Sequence, residues 1–137
     1  MTTPDLALLR HQTVTTADDL AAFWTAFMGE GGFGRRTLWL VLLDDGGHPA
    51  PVVVPIDDIP RAPGRRDTDA FGAVLAGLAD YGTAVLLLSR PGPVEVQPDD
   101  LRWARALAPL APAWPVHLAT AESLDAPACR VQALPSS

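Results

Sequence analysis

The residues able to do chemistry are few and scattered. Besides Asp18-Asp19 in the first helix, acidic pairs stand at Asp44-Asp45, Asp57-Asp58 and Asp99-Asp100 of the 137-residue chain, with three histidines (His11, His48, His117) and a single cysteine, Cys129. Paired carboxylates run general acid–base chemistry or hold Mg²⁺ when their oxygens converge. Adjacent residues diverge along a chain, however, and each pair already has a structural place: a turn, a loop and a helix N-terminus. Asp57 and Asp58 are the least explained of the six, since they follow a strand end and precede a Pro-rich loop. With Ser89 and Arg90 they form the candidate set for contacts to a ligand or a partner, at the crevice where open α/β sheets place their ligands.

Several chemistries are excluded outright. All ten basic residues are Arg, so a lysine nucleophile or Schiff base is impossible. One cysteine permits neither an intramolecular disulfide nor a cysteine zinc cage, and no neighbouring histidine marks Cys129 as a nucleophile. The histidines lie in separate elements and predict no metal site; His48 is expected at the surface and His117 as a hydrogen-bonded core residue. No Gly-x-Ser-x-Gly elbow occurs. The run Gly29-Glu30-Gly31-Gly32-Phe33-Gly34 follows a helix and precedes a strand. That is the reverse of the order that aims amides at phosphate, so it is a joint. No catalytic residue, metal or cofactor is predicted.

The elements that must position these residues are legible from periodicity. Thr16 caps a helix with Asp18 and Asp19 in its first turn. Leu20, Phe23, Trp24 and Phe27 follow at i, i+3, i+4 and i+7. That stripe is expected to pack on its own domain; a partner or a second copy is the sharper alternative, which makes Phe23, Trp24 and Phe27 the candidate interface. Residues 1–34 thus form an N-terminal helix and Gly-rich joint, and 35–137 the α/β domain, one compact unit overall. Thr37–Leu43 is a strand covered on both faces, Asp44-Asp45-Gly46-Gly47 a turn, and Pro51–Ile56 the returning strand. A helix is predicted over Thr68–Tyr81, capped by Asp67 or Thr68, with Phe71, Val74, Leu75 and Leu78 at i, i+3, i+4 and i+7. Thr83–Leu88 is a buried strand. Pro98 opens a helix that Pro109 and Pro112 end. Trp114–Ala119 is the last core strand, and Cys129–Val131 an edge strand. The strand–helix–strand step implies a parallel pair. The fold class is therefore α/β: a mixed sheet, antiparallel hairpin plus crossover, flanked by helices.

Hydrophobic residues at 48% against 19% charged exclude a disordered tail. A net charge of −6 repels phosphate, which argues against nucleic acid and anionic membranes as partners. The apolar runs are strand-length, and the N-terminus carries no signal-like pattern; a cytoplasmic protein is expected.

The segment Thr37–Thr120 resembles the JAB/MPN metalloprotease-like fold in its bacterial RadC-type branch. Leu42-Leu43-Asp44-Asp45 resembles the first turn of that family, and Leu78–Leu88 the helix end and following strand. Ser89-Arg90-Pro91-Gly92 stands in the place of the motif HNHPSG, Gln97-Pro98-Asp99-Asp100-Leu101 resembles the next helix cap, and Val116-His117-Leu118 the final strand. The resemblance implies a zinc held by two histidines one residue apart and a downstream Asp, with a Glu from an earlier strand moving the proton. Here the histidine places fall within Ser89–Pro91, Asp99 or Asp100 stands near the ligand Asp, and Val52, Val53 and Val54 supply no Glu. A guanidinium repels Zn²⁺. The resemblance thus implies the scaffold without the protease: a non-catalytic domain acting through a protein partner or as a homodimer. The alternative is a small-molecule-binding protein or hydrolase using Ser89 and Arg90 with Asp57 or Asp58.

Overall fold

Continuous apolar runs can be buried only if both faces of a sheet are covered, and the computed structural model supplies both covers. It describes residues 13–28, 35–121 and 129–134. Five strands, β1 (Thr37–Leu43), β2 (Pro49–Asp57), β3 (Thr83–Ser89), β4 (His117–Ala121) and β5 (Cys129–Ala133), form one sheet in the order β2-β1-β3-β4-β5. β1 runs antiparallel to both β2 and β3, β3 and β4 are parallel, and β4 and β5 are antiparallel. The expected mixed α/β sheet is therefore present, with its hairpin and its crossover.

Alternation along the strands divides the core in two. Leu38, Leu40, Leu42, Leu86, Leu88 and Leu118 face helices α2 (Arg65–Leu78) and α3 (Pro98–Leu107), meeting Phe71, Leu75, Trp103 and Leu107. Val41, Leu43, Val85, Leu87 and Ala119 face helix α1 (Ala17–Met28) and its stripe Leu20, Phe23, Trp24, Phe27 and Met28. Phe23 and Trp24 are wholly buried, and Phe27 stacks edge-on to Trp39 at 5.3 Å. The candidate interface Phe23, Trp24 and Phe27 is thus closed by its own chain and has no free face for a partner. Burying these five large apolar side chains stabilises by about 2 kcal/mol each, which explains why the sheet takes the stripe.

Local signals set the element ends. Thr16 Oγ1 accepts the Asp19 N–H at 3.1 Å while Asp19 Oδ2 accepts the Thr16 N–H at 3.1 Å, a reciprocal cap on α1. Asp44 Oδ1 accepts from the N–H groups of Gly46 and His48, both at 2.9 Å, which is the structural work of that acid in the hairpin turn. Gly47 has φ +81°, and a Cβ there would strike the Val14 carbonyl. Several boundaries depart from expectation, two of them for a clear local reason. α2 begins three residues early, because Asp67 is not the cap; its carboxylate accepts the Gly64 N–H at 2.8 Å from the third helical position. β4 begins at His117 and not Trp114, since residues 111–114 still turn. The joint at 29–34 lies outside the described residues.

Candidate functional site

The candidate residues meet at the end of the sheet where β3 stops, and the pleat then separates them. Thr37 pairs with Asp57 on one side and with Ser89 on the other, so Asp57, Thr37, Ser89 and Ala119 form one row across four strands. Asp57 and Ser89 are two strand spacings apart, roughly 10 Å. Thr37 stands between them and donates its hydroxyl to Asp57 Oδ1 at 3.1 Å. Ser89 is fully buried, and its oxygen accepts the Trp39 Nε1–H at 2.8 Å. Asp57 therefore cannot serve Ser89 as a base. Asp58 turns the chain out of β2 with φ 56° and meets Arg35 at 3.4 Å in solvent, an exposed pair of small energetic weight.

Arg90 belongs to the opposite face, so Ser89 and Arg90 cannot line one crevice. The Arg90 side chain is 2% exposed and Asp100, in the first turn of α3, is 0% exposed. Arg90 Nε donates to Asp100 Oδ1 and Nη2 to Oδ2, both at 2.8 Å. This is the bidentate geometry in which a guanidinium fork matches a carboxylate. Nη1 also donates to the carbonyls of Pro91 at 3.2 Å and Pro93 at 2.9 Å, and Nη2 to that of Glu95 at 3.0 Å. Each of the five N–H groups of a guanidinium thus has an acceptor. Asp100 Oδ2 further accepts the Gln97 N–H at 2.7 Å, capping α3.

The loop between β3 and α3 is folded around this cation. Gly92 adopts φ +105°, and a Cβ there would lie 3.3 Å from Arg90 Nη1. From the other side Gln132 in β5 donates to the Val94 carbonyl at 2.7 Å. Arg36 approaches Asp100 Oδ1 at 3.6 Å. Burial lowers the Arg36 pKa from the usual arginine range, and Asp100 pulls it back up.

The zinc chemistry implied by the resemblance does not fit these residues. Both oxygens of Asp100 are held by Arg90, and the guanidinium occupies the space beside the carboxylate that a metal ion would need. Among the described residues no group of three or more His, Cys, Asp or Glu side chains converges. His48 is half exposed beside Asp44 at 3.4 Å. His117 is buried with Nδ1 3.2 Å from the Pro115 carbonyl, a contact that requires the proton on Nδ1.

Sequence reasoning named Arg90 and placed Asp100 at a helix N-terminus, yet missed that they form one buried pair. The available signal was a charged residue directly following the apolar run Ala84–Leu88, where burial demands a counter-charge. Comparisons with known protein families, curated proteins and solved structures found no match. Among the described residues no helix is long and apolar enough to cross a membrane.

Proposed function

We propose that this chain is a non-catalytic JAB/RadC-like domain that acts by binding protein, either a partner or its own copy. The observation that carries the reading is the Arg90–Asp100 pair. Matching Pro91 to the proline of the HNHPSG motif puts Arg90 at the second histidine and Leu88 at the first, one residue ahead of the span Ser89–Pro91 expected from the sequence. The loop that follows is about two residues shorter than the motif requires, and Asp99 or Asp100 stands near the place of the ligand Asp. In that register a guanidinium does the structural work of the metal, tying the end of β3 to the start of α3 by a cation between them. β2 brings Val53 and Val54 where the family brings its Glu. The proton carrier, both imidazoles and the free carboxylate are all missing, and the described residues offer no replacement set.

The hydrolase or ligand-binding alternative loses support from the same geometry, because Ser89 and Arg90 point to opposite faces and both are buried. A protein partner also agrees with the charge: a chain of net −6 is repelled by phosphate surfaces.

The test is metal uptake. Purified chain is equilibrated with excess Zn²⁺, desalted and analysed for bound metal, in parallel with Asp100→Asn. The expected result is far less than one ion per chain in both. One tightly held ion in the wild type, lost in Asp100→Asn, overturns the proposal.

A further inference from the structure

We propose that the outward face of α2 is where two copies of this chain pair, with the two helices antiparallel about a two-fold axis at Ala73. The proposal rests on the reading above that the domain works through protein association, and it names the second copy as the partner.

α2 turns Phe71 and Leu75 into the core. Its opposite side exposes Arg66, Ala70, Ala73, Val74 and Gly77, with Asp80 just past the helix end. A helix face turned to water ordinarily carries charged or polar residues. Between Asp69 and Asp80 the sequence has none. Just beyond the helix, after Asp80, Tyr81 is 73% exposed. Leu110 of the loop after α3 would lie 3.5 Å from a Cβ on Gly72, so the loop packs beside the helix.

The charges at the two ends say what covers this face. Arg65 and Arg66 sit in the first turn of α2, at the positive end of their own helix dipole, and Asp80 sits beyond the last turn, at the negative end. Both placements oppose the preference of an isolated helix. Asp67 follows that preference, and it is spent on the Gly64 N–H. An antiparallel second α2 reverses the sign of both costs. With Ala73 on the axis, residue 66 of one copy faces residue 80 of the other, so Arg66 meets Asp80 twice, once at each end. Position 70 then faces 76, and Asp69 faces Gly77, so no like charges oppose one another. Alanine and glycine at the crossing allow the closest helix approach, about 8 Å between axes. A Cβ on Gly77 would meet nothing within 4 Å, so its own chain leaves that space open. A single helix face with a loop beside it falls short of the roughly 800 Å² per partner of a stable interface. The dimer is therefore weak and reversible, with a dissociation constant of about 1–100 μM.

Sedimentation velocity on the full chain, from about 1 to about 200 μM, tests the pairing across that range. The wild type is expected to pass from monomer to dimer, and Ala73→Glu to remain monomeric. Arg66→Asp or Asp80→Arg alone is expected to weaken pairing by about tenfold, since each change acts twice in a two-fold contact. The double swap Arg66→Asp/Asp80→Arg is expected to return within about threefold of wild type. All three positions are exposed, and circular dichroism with thermal melting verifies that each variant is folded. A wild type that stays monomeric overturns the proposal, as does a dimer indifferent to Ala73→Glu or single swaps that the double swap does not rescue. Zinc measured on the same samples separates the two readings. A metal-free monomer removes this surface alone, whereas a zinc-loaded chain removes the functional reading beneath it.

Discussion

Replacing Arg90 by methionine keeps much of the side-chain stem and removes the cation. Asp100 would then hold its charge at 0% exposure with only the Gln97 N–H at 2.7 Å and the Arg36 guanidinium at 3.6 Å for support. Deleting one member of a buried ion pair costs about 3–5 kcal/mol, because the survivor stays buried and uncompensated. The carbonyls of Pro91, Pro93 and Glu95 also lose their donor, but those residues are exposed and water replaces it at little cost. The ion pair therefore dominates, and we expect a loss of about 4 kcal/mol for Arg90→Met. Domains of this kind are stable by about 5–15 kcal/mol, so the variant folds but with a large part of its margin gone. At a denaturant slope of about 2 kcal/mol/M the urea midpoint falls by about 2 M. Arg90→Met/Asp100→Leu should be less damaging than the two single losses summed, with a coupling of at least about 2 kcal/mol. Urea titration followed by tryptophan fluorescence measures all four proteins. A single-variant loss below about 1 kcal/mol, or additive losses, would show that the pair is not the strut described here.

Three further outcomes are expected. Trp24→Ala should cost about 3–5 kcal/mol in urea unfolding, since the indole is wholly buried between α1 and the sheet; an unchanged midpoint would mean that α1 does not pack as described. Burial holds the His117 pKa below its ordinary value, with the Pro115 carbonyl partly opposing this. The unfolded chain then takes up the proton first, so the contribution is complete above about pH 6.5 and is lost as the pH falls toward the folded value. His117→Gln should flatten the decline in thermal midpoint between about pH 7 and 5, and parallel curves for the two proteins would refute this. Leu88→His/Arg90→His frees Asp100 and restores two imidazoles one residue apart, and the variant should bind about one Zn²⁺ per chain. A folded double variant that remains metal-free would remove the register on which the JAB/RadC resemblance stands.

Strong local patterns carried the fold, and long-range pairing carried the site. β1 was legible because seven residues from Thr37 to Leu43 leave no polar face, and β1 is indeed flanked by β2 and β3 with a core on each side. The start of α1 was legible because Thr16 is a cap residue followed by Asp18 and Asp19 in the first turn; that Asp19 closes the cap reciprocally is seen only in the structure. The start of α2 was not: Asp67 has the chemistry of a cap residue, but the true cap, Gly64, has no side chain to announce itself. At the sheet end, the separation of Ser89 from Arg90 follows from the period of two along a strand. Grouping them by sequence adjacency overrode that rule. What no pattern could give was the partner of Arg90. Asp100 lies ten residues on, beyond a loop whose path is set by the hydrogen bonds that Arg90 itself makes.

Closing the strand-end site with a guanidinium moves the question of function to the surface, and the sheet edges answer part of it. Pro49, Pro51 and Pro55 in β2 share one parity, and proline is compatible with an edge strand where its missing N–H would point away from the ladder. Prolines at those positions remove donors from the outer edge of β2 and disfavour strand-to-strand pairing between copies there. The stripe on α1 is equally unavailable, being buried against β4, β5 and Trp39. The exposed side of α2 around Ala73 carries neither device. Stability and association should therefore separate by residue. Trp24 and Arg90 variants should unfold more easily without changing the assembly of the folded protein. Ala73, Arg66 and Asp80 single variants should change assembly while leaving the stability of the monomer within about 1 kcal/mol, the charge swaps raising it because they remove unfavourable helix-end charges. A variant of either set that lowered both quantities together would mean that pairing and folding are one equilibrium, and a reversible contact between preformed domains would then be the wrong description.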